Sequence, residues 1–354
     1  AMNTSNAAGY LLGALLMPRL LRRWPPGSVL RMGMALAALF MALSGFVTDA
    51  GMLMVQRLLA GWASALVFVT GGLLAARLAQ QRPQQGGWLI GLYYGGTGWG
   101  IVVSTWVVPW VLTVPSDWPR AWWVLACTCA LALMALWRTV GQLDQQQGQV
   151  TEARSEGAHR FELSQWVFGL AGYACFGMGY IGYMTFVIAL LRAQGASGSS
   201  ITVFYSALGL AVVLSARLWA RLLDHFKGGQ ALAILNALLA LATVVPALAA
   251  PAWALGLSGL LFGAVFLSVV ASTTAMVRHN LPADEWARGI SAFTIVFAVG
   301  QIVGPVPVQG GFAVVKVEDR SRPDGARRGT PELFRELHAG SELRLMVYSR
   351  VSYK

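Results

Sequence analysis

The sequence predicts an all-α membrane protein, a polytopic helical bundle of about ten transmembrane helices in two pseudo-repeated halves. Three observations carry the prediction. Of the 354 residues, 56% are apolar and only 12% charged, against about 25% charged in a soluble domain. Apolar runs approach or reach the roughly 20 residues that cross a bilayer core as a helix. The breaks between them carry turn residues and most of the cations. So little charge cannot cover a water-facing globule, which excludes most soluble enzymes and binding modules. The same hydrophobicity excludes disorder.

In chain order, the spans are expected at 4–20, 28–48, 51–76, 87–113, 119–138, 163–191, 200–220, 230–248, 252–277 and 287–308. Pro25-Pro26-Gly27, Pro83, Pro115 with Pro119, Gly228-Gly229, Pro251 and Pro282 punctuate them, each a residue type that ends or redirects a helix. The first span lacks the basic leader of a signal peptide and is expected to remain as a helix. Cys127, Cys129 and Cys175 all lie within apolar runs, where small packing residues are the expectation rather than a metal or redox site.

The net charge of +11 reads as membrane orientation rather than nucleic-acid binding. One set of alternate loops holds Arg19, Arg22, Arg23 and Arg31, then Arg77 and Arg82, then Arg138, Arg154 and Arg160. The same side receives Arg217, Arg221 and Lys227, and finally Arg278 and Arg288, whereas the other side has Arg120 and Arg192. Cytoplasmic loops attract such an excess, so the first span is expected to start outside and each odd-numbered span to run inward, in the inner (plasma) membrane. The longest polar interruption, Gly141 to Gln165, is Gln-rich and charged. It suggests an N-terminal helical half over 1–138, a cytoplasmic linker loop over 139–162, a C-terminal helical half over 163–310 and a charged tail over 311–354. Glycine-bearing helix ends followed by basic loops recur in both halves, as in transporters built from parallel repeats.

Several stretches resemble the major facilitator superfamily, and most closely its YbfB/YjiJ-type branch: "GYLLGALL" from Gly9, "RLLAGWASALVFV" from Arg57, "GLYYGGTGWGIVVSTWVVP" from Gly91, "YACFGMGYIGYMTF" from Tyr173 and "GQIVGP" from Gly300. The resemblance covers about residues 5–308. It implies twelve helices in two six-helix halves. On that register the ten spans match the second to eleventh family helices, so the chain looks truncated at both ends and is expected to transport poorly as given. The family's gating loop, a glycine followed by an acid and then basic residues, corresponds to Gly13 through Arg19, Arg22 and Arg23, with Met17 in the acid's place. Its R-x-x-x-G motif falls on Arg57 and Gly61.

Arg57 is the one ionisable side chain well inside a span, about six residues or roughly 9 Å from its outer end. A membrane cation is expensive unless it faces a cavity or a partner, so Arg57 is expected to point between the two halves. Snorkelling, or pairing with Asp49, is the alternative. Tyr93, Tyr94 and Trp99, with Tyr180 and Tyr183, bring polar-tipped aromatic rings to mid-membrane depth, where they suit either a solute pathway or helix packing. Asn236, Thr273, Thr274 and Gln301 add amides and hydroxyls to later spans. Gly98 and Gly100, and Gly304 before Pro305, suit close helix approach or bending.

No Walker loop, H-E-x-x-H or diphosphate-binding acidic pair occurs, so an enzyme is not expected and no cofactor or metal is implied. After Gly311 the apolar pattern stops. The tail has no span-length run, and "TPELFRELHAG" suits one or two amphipathic turns. It reads as an altered reading frame or a truncated gene, with an interaction tail as the alternative. The expected function is secondary active transport, as a permease or efflux protein, of a small organic solute by alternating access. Expected partners are that solute, a coupling ion of unknown identity and the lipid bilayer, with no nucleic acid. The alternatives are a transport-inactive truncated protein and a membrane-embedded enzyme.

Overall fold

The computed structural model describes residues 2–112, 114, 117–148, 161–248 and 251–304, with three short strands beyond them. The described helices are α1 (Met2–Leu20), α2 (Pro26–Ser44), α3 (Ala50–Gln81), α4 (Gly86–Val111), α5 (Trp118–Gly148), α6 (Leu163–Ala193), α7 (Gly198–Leu218), α8 (Ala220–His225), α9 (Gln230–Val244), α10 (Ala252–Asn280) and α11 (Trp286–Val303). All ten expected runs are therefore helical, and α8 is an added turn inside a basic loop. The protein is a polytopic α-helical membrane bundle.

Local chemistry sets the helix ends. Asp49 opens α3 by accepting a hydrogen bond from the Met52 amide at 2.8 Å, and Ser197 opens α7 by accepting from the Ser200 amide at 3.1 Å. Both satisfy a donor that the first helical turn leaves free. Pro26 starts α2, where a missing amide hydrogen costs nothing. Helix α3 continues beyond its expected end and stops at Gln81, because Pro83 holds Arg82 out of the helical region.

Several helix boundaries differ from expectation. Helix α11 ends at Val303 rather than at 308. Gly304 is extended (ψ −172°) ahead of Pro305, which disfavours a helical predecessor. Residues Val306–Val308 instead form a strand, β1, antiparallel to β2 (Gly311–Ala313) with Pro307 opposite Phe312; β2 pairs in turn with β3 (Val347–Tyr348). Helix α5 runs through the first part of the expected linker to Gly148. Helix α9 has 15 residues, followed by a 3₁₀ turn over Val245–Leu248. "TPELFRELHAG" lies outside the described residues.

Among the described helices, seven are both long and apolar enough to cross a membrane, fewer than the ten expected. Helix α9 is short, while α1 and α4 are long but carry polar or small residues in place of aliphatic ones. Helix α5 turns most of its apolar side chains outward, including Leu131, Met134 and Trp137, which suits contact with hydrocarbon. Cys127 on α5 and Cys175 on α6 are exposed and Cys129 is half-buried, so the first two face outward instead of packing.

The packing builds two layers of contact. Helix α3 packs on α1 and α2, and α2 on α5; farther along the chain, α10 packs on α7 and α9, and α6 on α11. Helix α4 lies against α7 and α10, while α1 and α3 meet α11. Small residues permit these crossings: a Cβ on Gly13 would stand 2.6 Å from Ala65 Cβ, and one on Gly304 would stand 2.7 Å from Ile181 Cγ2. A Cβ on Gly61 would collide with the Asn6 carbonyl, so the α1 and α3 backbones touch. Such close approach is how membrane helices gain packing without a hydrophobic driving force.

Candidate substrate pathway

Helix α6 carries Tyr173, Phe176, Tyr180, Tyr183 and Val187 at spacings of three or four residues, which places them on one face. That face meets aromatic side chains from α10 and α11, and through them a longer run of rings reaches α1, α3 and α4. Starting on α4, Tyr93 and Tyr94 touch edge to face with ring centroids 4.8 Å apart, and Tyr94 meets Phe68 of α3 at 5.1 Å. Phe68 meets Tyr10 of α1 at 6.2 Å, and Tyr10 meets Phe297 of α11 at 6.4 Å. Phe297 leads to Tyr180 at 5.6 Å and Tyr180 to Phe266 of α10 at 5.7 Å. The run ends with Phe262 stacked on Tyr183 at 4.0 Å. Offset and edge-on ring pairs of this kind stabilise packing beyond their buried area.

The hydroxyls divide by use. Tyr94 shares a 2.8 Å hydrogen bond with Thr274 of α10, a buried link between α4 and α10. Tyr183 shares one of 2.8 Å with Ser258, which donates onward to the Ala242 carbonyl of α9. Tyr93 donates to the carbonyls of Val67 and Phe68, where α3 passes close to α4. Tyr10 touches both Phe68, which meets Tyr94 beside Tyr93, and Phe297, which meets Tyr173 and Tyr180. Five phenols from α1, α4 and α6 therefore converge.

Tyr93, Tyr94, Tyr180 and Tyr183 all lie in this run of rings, which also takes in Tyr10, and Tyr173 packs beside it against Phe176 and Phe297. The sequence signal of Tyr10 and Tyr173 was weak: Tyr10 sits in a Gly-Tyr pair near the chain start, and only its packing against Phe68 and Phe297 distinguishes it. Trp99 does not join them. It is 56% exposed on the outer side of α4. Asn236 donates to the Gly172 carbonyl at 3.3 Å, joining α9 to α6, and Gln301 is half-buried on α11.

Arg57 departs from expectation. Its guanidinium donates to Ser44 Oγ at 2.5 Å and lies 4.4 Å from the Trp122 ring centroid. Both partners belong to α2 and α5, so Arg57 turns away from the space between the two sets of helices. Aromatic faces stabilise a cation electrostatically, and the nearby Asp49 is occupied by its helix cap. Gly98 lies against α7, where a Cβ would stand 2.8 Å from Val212 Cβ, but a Cβ on Gly100 would meet nothing within 4 Å. Gly100 therefore makes no close approach among the described residues. Pro305 lies outside them.

At the end of the bundle that bears the basic loops, Arg19, Arg22 and Arg23 are exposed and make no ion pair among the described residues, and Met17 is fully buried. Charge contacts arise elsewhere. Asp144 accepts from the Gly27 amide at 2.7 Å and from Ser28 Oγ at 3.2 Å, beside Arg31 at 3.7 Å. Asp224 of α8 accepts from the Gly87 amide at 2.6 Å and faces Arg278 of α10 at 3.7 Å. Each acid thus sits at a helix N-terminus, α2 or α4, where free amides and the helix dipole favour an anion. The Asp224 contact ties α4 to α8 and α10. Neither acid stands out in the sequence, because each lies in a polar segment and the helix amide it caps is more than a hundred residues away.

With this geometry in place, the comparisons are consistent. A family described as "Uncharacterised MFS-type transporter YbfB" matches residues 1–311. No curated protein matches the chain. Among solved structures, the crystal structure of the human organic anion transporter MFSD10 (TETRAN) is similar with a TM-score of 0.56 and 15% identity, over 86% of this chain and 74% of that one; at this identity the likeness speaks for the fold alone. The paired arrangement of helices, the central phenols and the family match converge: this chain belongs to the major facilitator superfamily, in the family of YbfB-type transporters.

Proposed function

We propose that the protein carries a small organic solute across the inner membrane by alternating access, as a secondary active transporter rather than an enzyme. In this reading the helices before and after residues 139–162 act as two halves that rock about the aromatic cluster. The observation that carries it is the convergence of five phenols from α1, α4 and α6 opposite the hydroxyl-bearing face of α10. A membrane bundle has little reason to bring hydroxyls to its centre unless something polar passes there. The Tyr94–Thr274 bond and the Asp224 contact both join α4 to α10, and both must break or shift for the two sets of helices to separate. They are suited to hold one access state closed.

The test is reconstitution into liposomes with a cell extract outside, followed by mass spectrometry of the solutes accumulated inside. Accumulation of a solute above protein-free vesicles is the expected result. It should disappear in a Tyr94→Phe, Tyr180→Phe double variant that still purifies as a folded protein. Equal solute content in vesicles with and without the protein would refute transport.

A further inference from the structure

Resting on that reading, we infer that the solute is uncharged, with one flat apolar face and several hydroxyl groups. The aromatic run supplies the first requirement. Its successive centroids lie 4.0–6.4 Å apart, so a flat ring can enter by replacing one ring contact with another of similar energy. The face of a pyranose or an arene fits equally.

The polar atoms supply the second requirement. The hydroxyls of Tyr93, Tyr94 and Tyr183 are engaged within the protein. Those of Tyr10 and Tyr180 take no hydrogen bond from the described residues and are not among the fully sealed polar atoms, although both side chains pack into the cluster. Each phenol can donate one hydrogen bond and accept another, and a solute hydroxyl is the group that completes both. These two residues are therefore the specificity-determining pair.

Charge is disfavoured by the same chemistry. An ion at this depth needs an opposite charge or a dense set of oriented dipoles beside it. The cluster presents ring faces and neutral hydroxyls. Arg57 of neighbouring α3 is directed to Ser44 and Trp122 instead, and the other cation of that helix, Arg77, lies in its last turns toward the basic loops. Ring faces would compensate a cation only in part and an anion not at all.

Three phenyl glycosides that differ at one carbon test the inference: phenyl β-glucoside with a hydroxymethyl group, phenyl β-glucuronide with a carboxylate, and the 6-amino-6-deoxy glucoside with an ammonium. Proteoliposomes should take up the glucoside saturably, about tenfold or more faster than either charged analogue. Tyr10→Phe and Tyr180→Phe keep the rings and remove the free hydroxyls. Each should raise KM for the glucoside about tenfold, the loss of one buried hydrogen bond, with Tm unchanged. Faster uptake of the glucuronide or the amine would overturn the inference. So would an absence of glucoside uptake by vesicles that do accumulate another solute from a cell extract. Vesicles that accumulate nothing from the extract would overturn the transport reading and this inference with it.

Discussion

Helix α4 offers a matched pair of perturbations, Gly98→Ala and Gly100→Ala, two residues apart on one helix. At Gly98 the added methyl would stand 2.8 Å from Val212 Cβ and 2.9 Å from Val213 Cγ2, and nearer still to the Gly209 carbonyl. Carbon atoms pack at about 3.5–4.0 Å, so α4 and α7 must separate by about 0.7 Å or more. A gap of that size forfeits roughly a quarter to a half of each contact, worth about 0.1–0.2 kcal/mol per atom pair. Over the tens of pairs at a helix crossing the loss reaches about 1–3 kcal/mol, the range measured for overpacked sites. The backbone oxygen of Gly209 cannot rotate aside as a side chain would. At Gly100 nothing lies within 4 Å of the new methyl, and alanine's higher helix propensity leaves the change neutral or slightly favourable. Thermal unfolding of the purified variants in detergent decides the matter. Gly98→Ala should lower Tm by about 2–4 °C per kcal/mol or somewhat less in a chain of this length, and Gly100→Ala should leave it in place. Equal Tm values for the two variants would refute the α4–α7 contact as drawn.

The remaining predictions concern polar contacts. Asp224→Asn removes the charge that faces Arg278 and caps α4, a loss of about 1–2 kcal/mol. Maleimide labelling of an Ala79→Cys reporter, at a fully buried position near the end of α3, in a background lacking Cys127, Cys129 and Cys175 should then run roughly tenfold faster, and an unchanged rate would show that the contact holds nothing closed. Tyr94→Phe and Thr274→Val should each cost about 1–2 kcal/mol by leaving a buried hydroxyl unpaired. The double variant should cost less than their sum, and strict additivity in denaturation would mean that the hydrogen bond does not form. Arg57→Met should lower stability by about 1 kcal/mol through loss of the Trp122 contact while solute uptake per folded molecule stays constant; a selective loss of uptake would return Arg57 to the pathway.

Composition and periodicity were enough to determine that this chain is a membrane bundle, and where its ten main helices run. Burial of a backbone in hydrocarbon demands long apolar helices, and prolines and glycines mark their ends through local sterics that no distant contact alters. Asp49 and Ser197 cap their helices within three residues, which is also local. On α6 the sequence singles out Tyr180 and Tyr183, and only the packing shows that Tyr173 and Phe176 complete one aromatic face with them. Which side chains meet across helices was settled only by the tertiary structure. Tyr10 and Tyr180 lie far apart in the chain, and their convergence depends on how α1, α6 and α11 pack. Arg57 looked like a pathway residue because isolated burial of a cation is costly, yet Ser44 and Trp122 relieve that cost from helices on the other side of α3. Gly98 and Gly100 are alike in sequence and differ only in what stands opposite. Asp144 and Asp224 find their partners 117 and 137 residues away. Long-range electrostatic and packing partners leave no periodic trace in a single sequence, because the energy that selects them exists only once the helices are side by side.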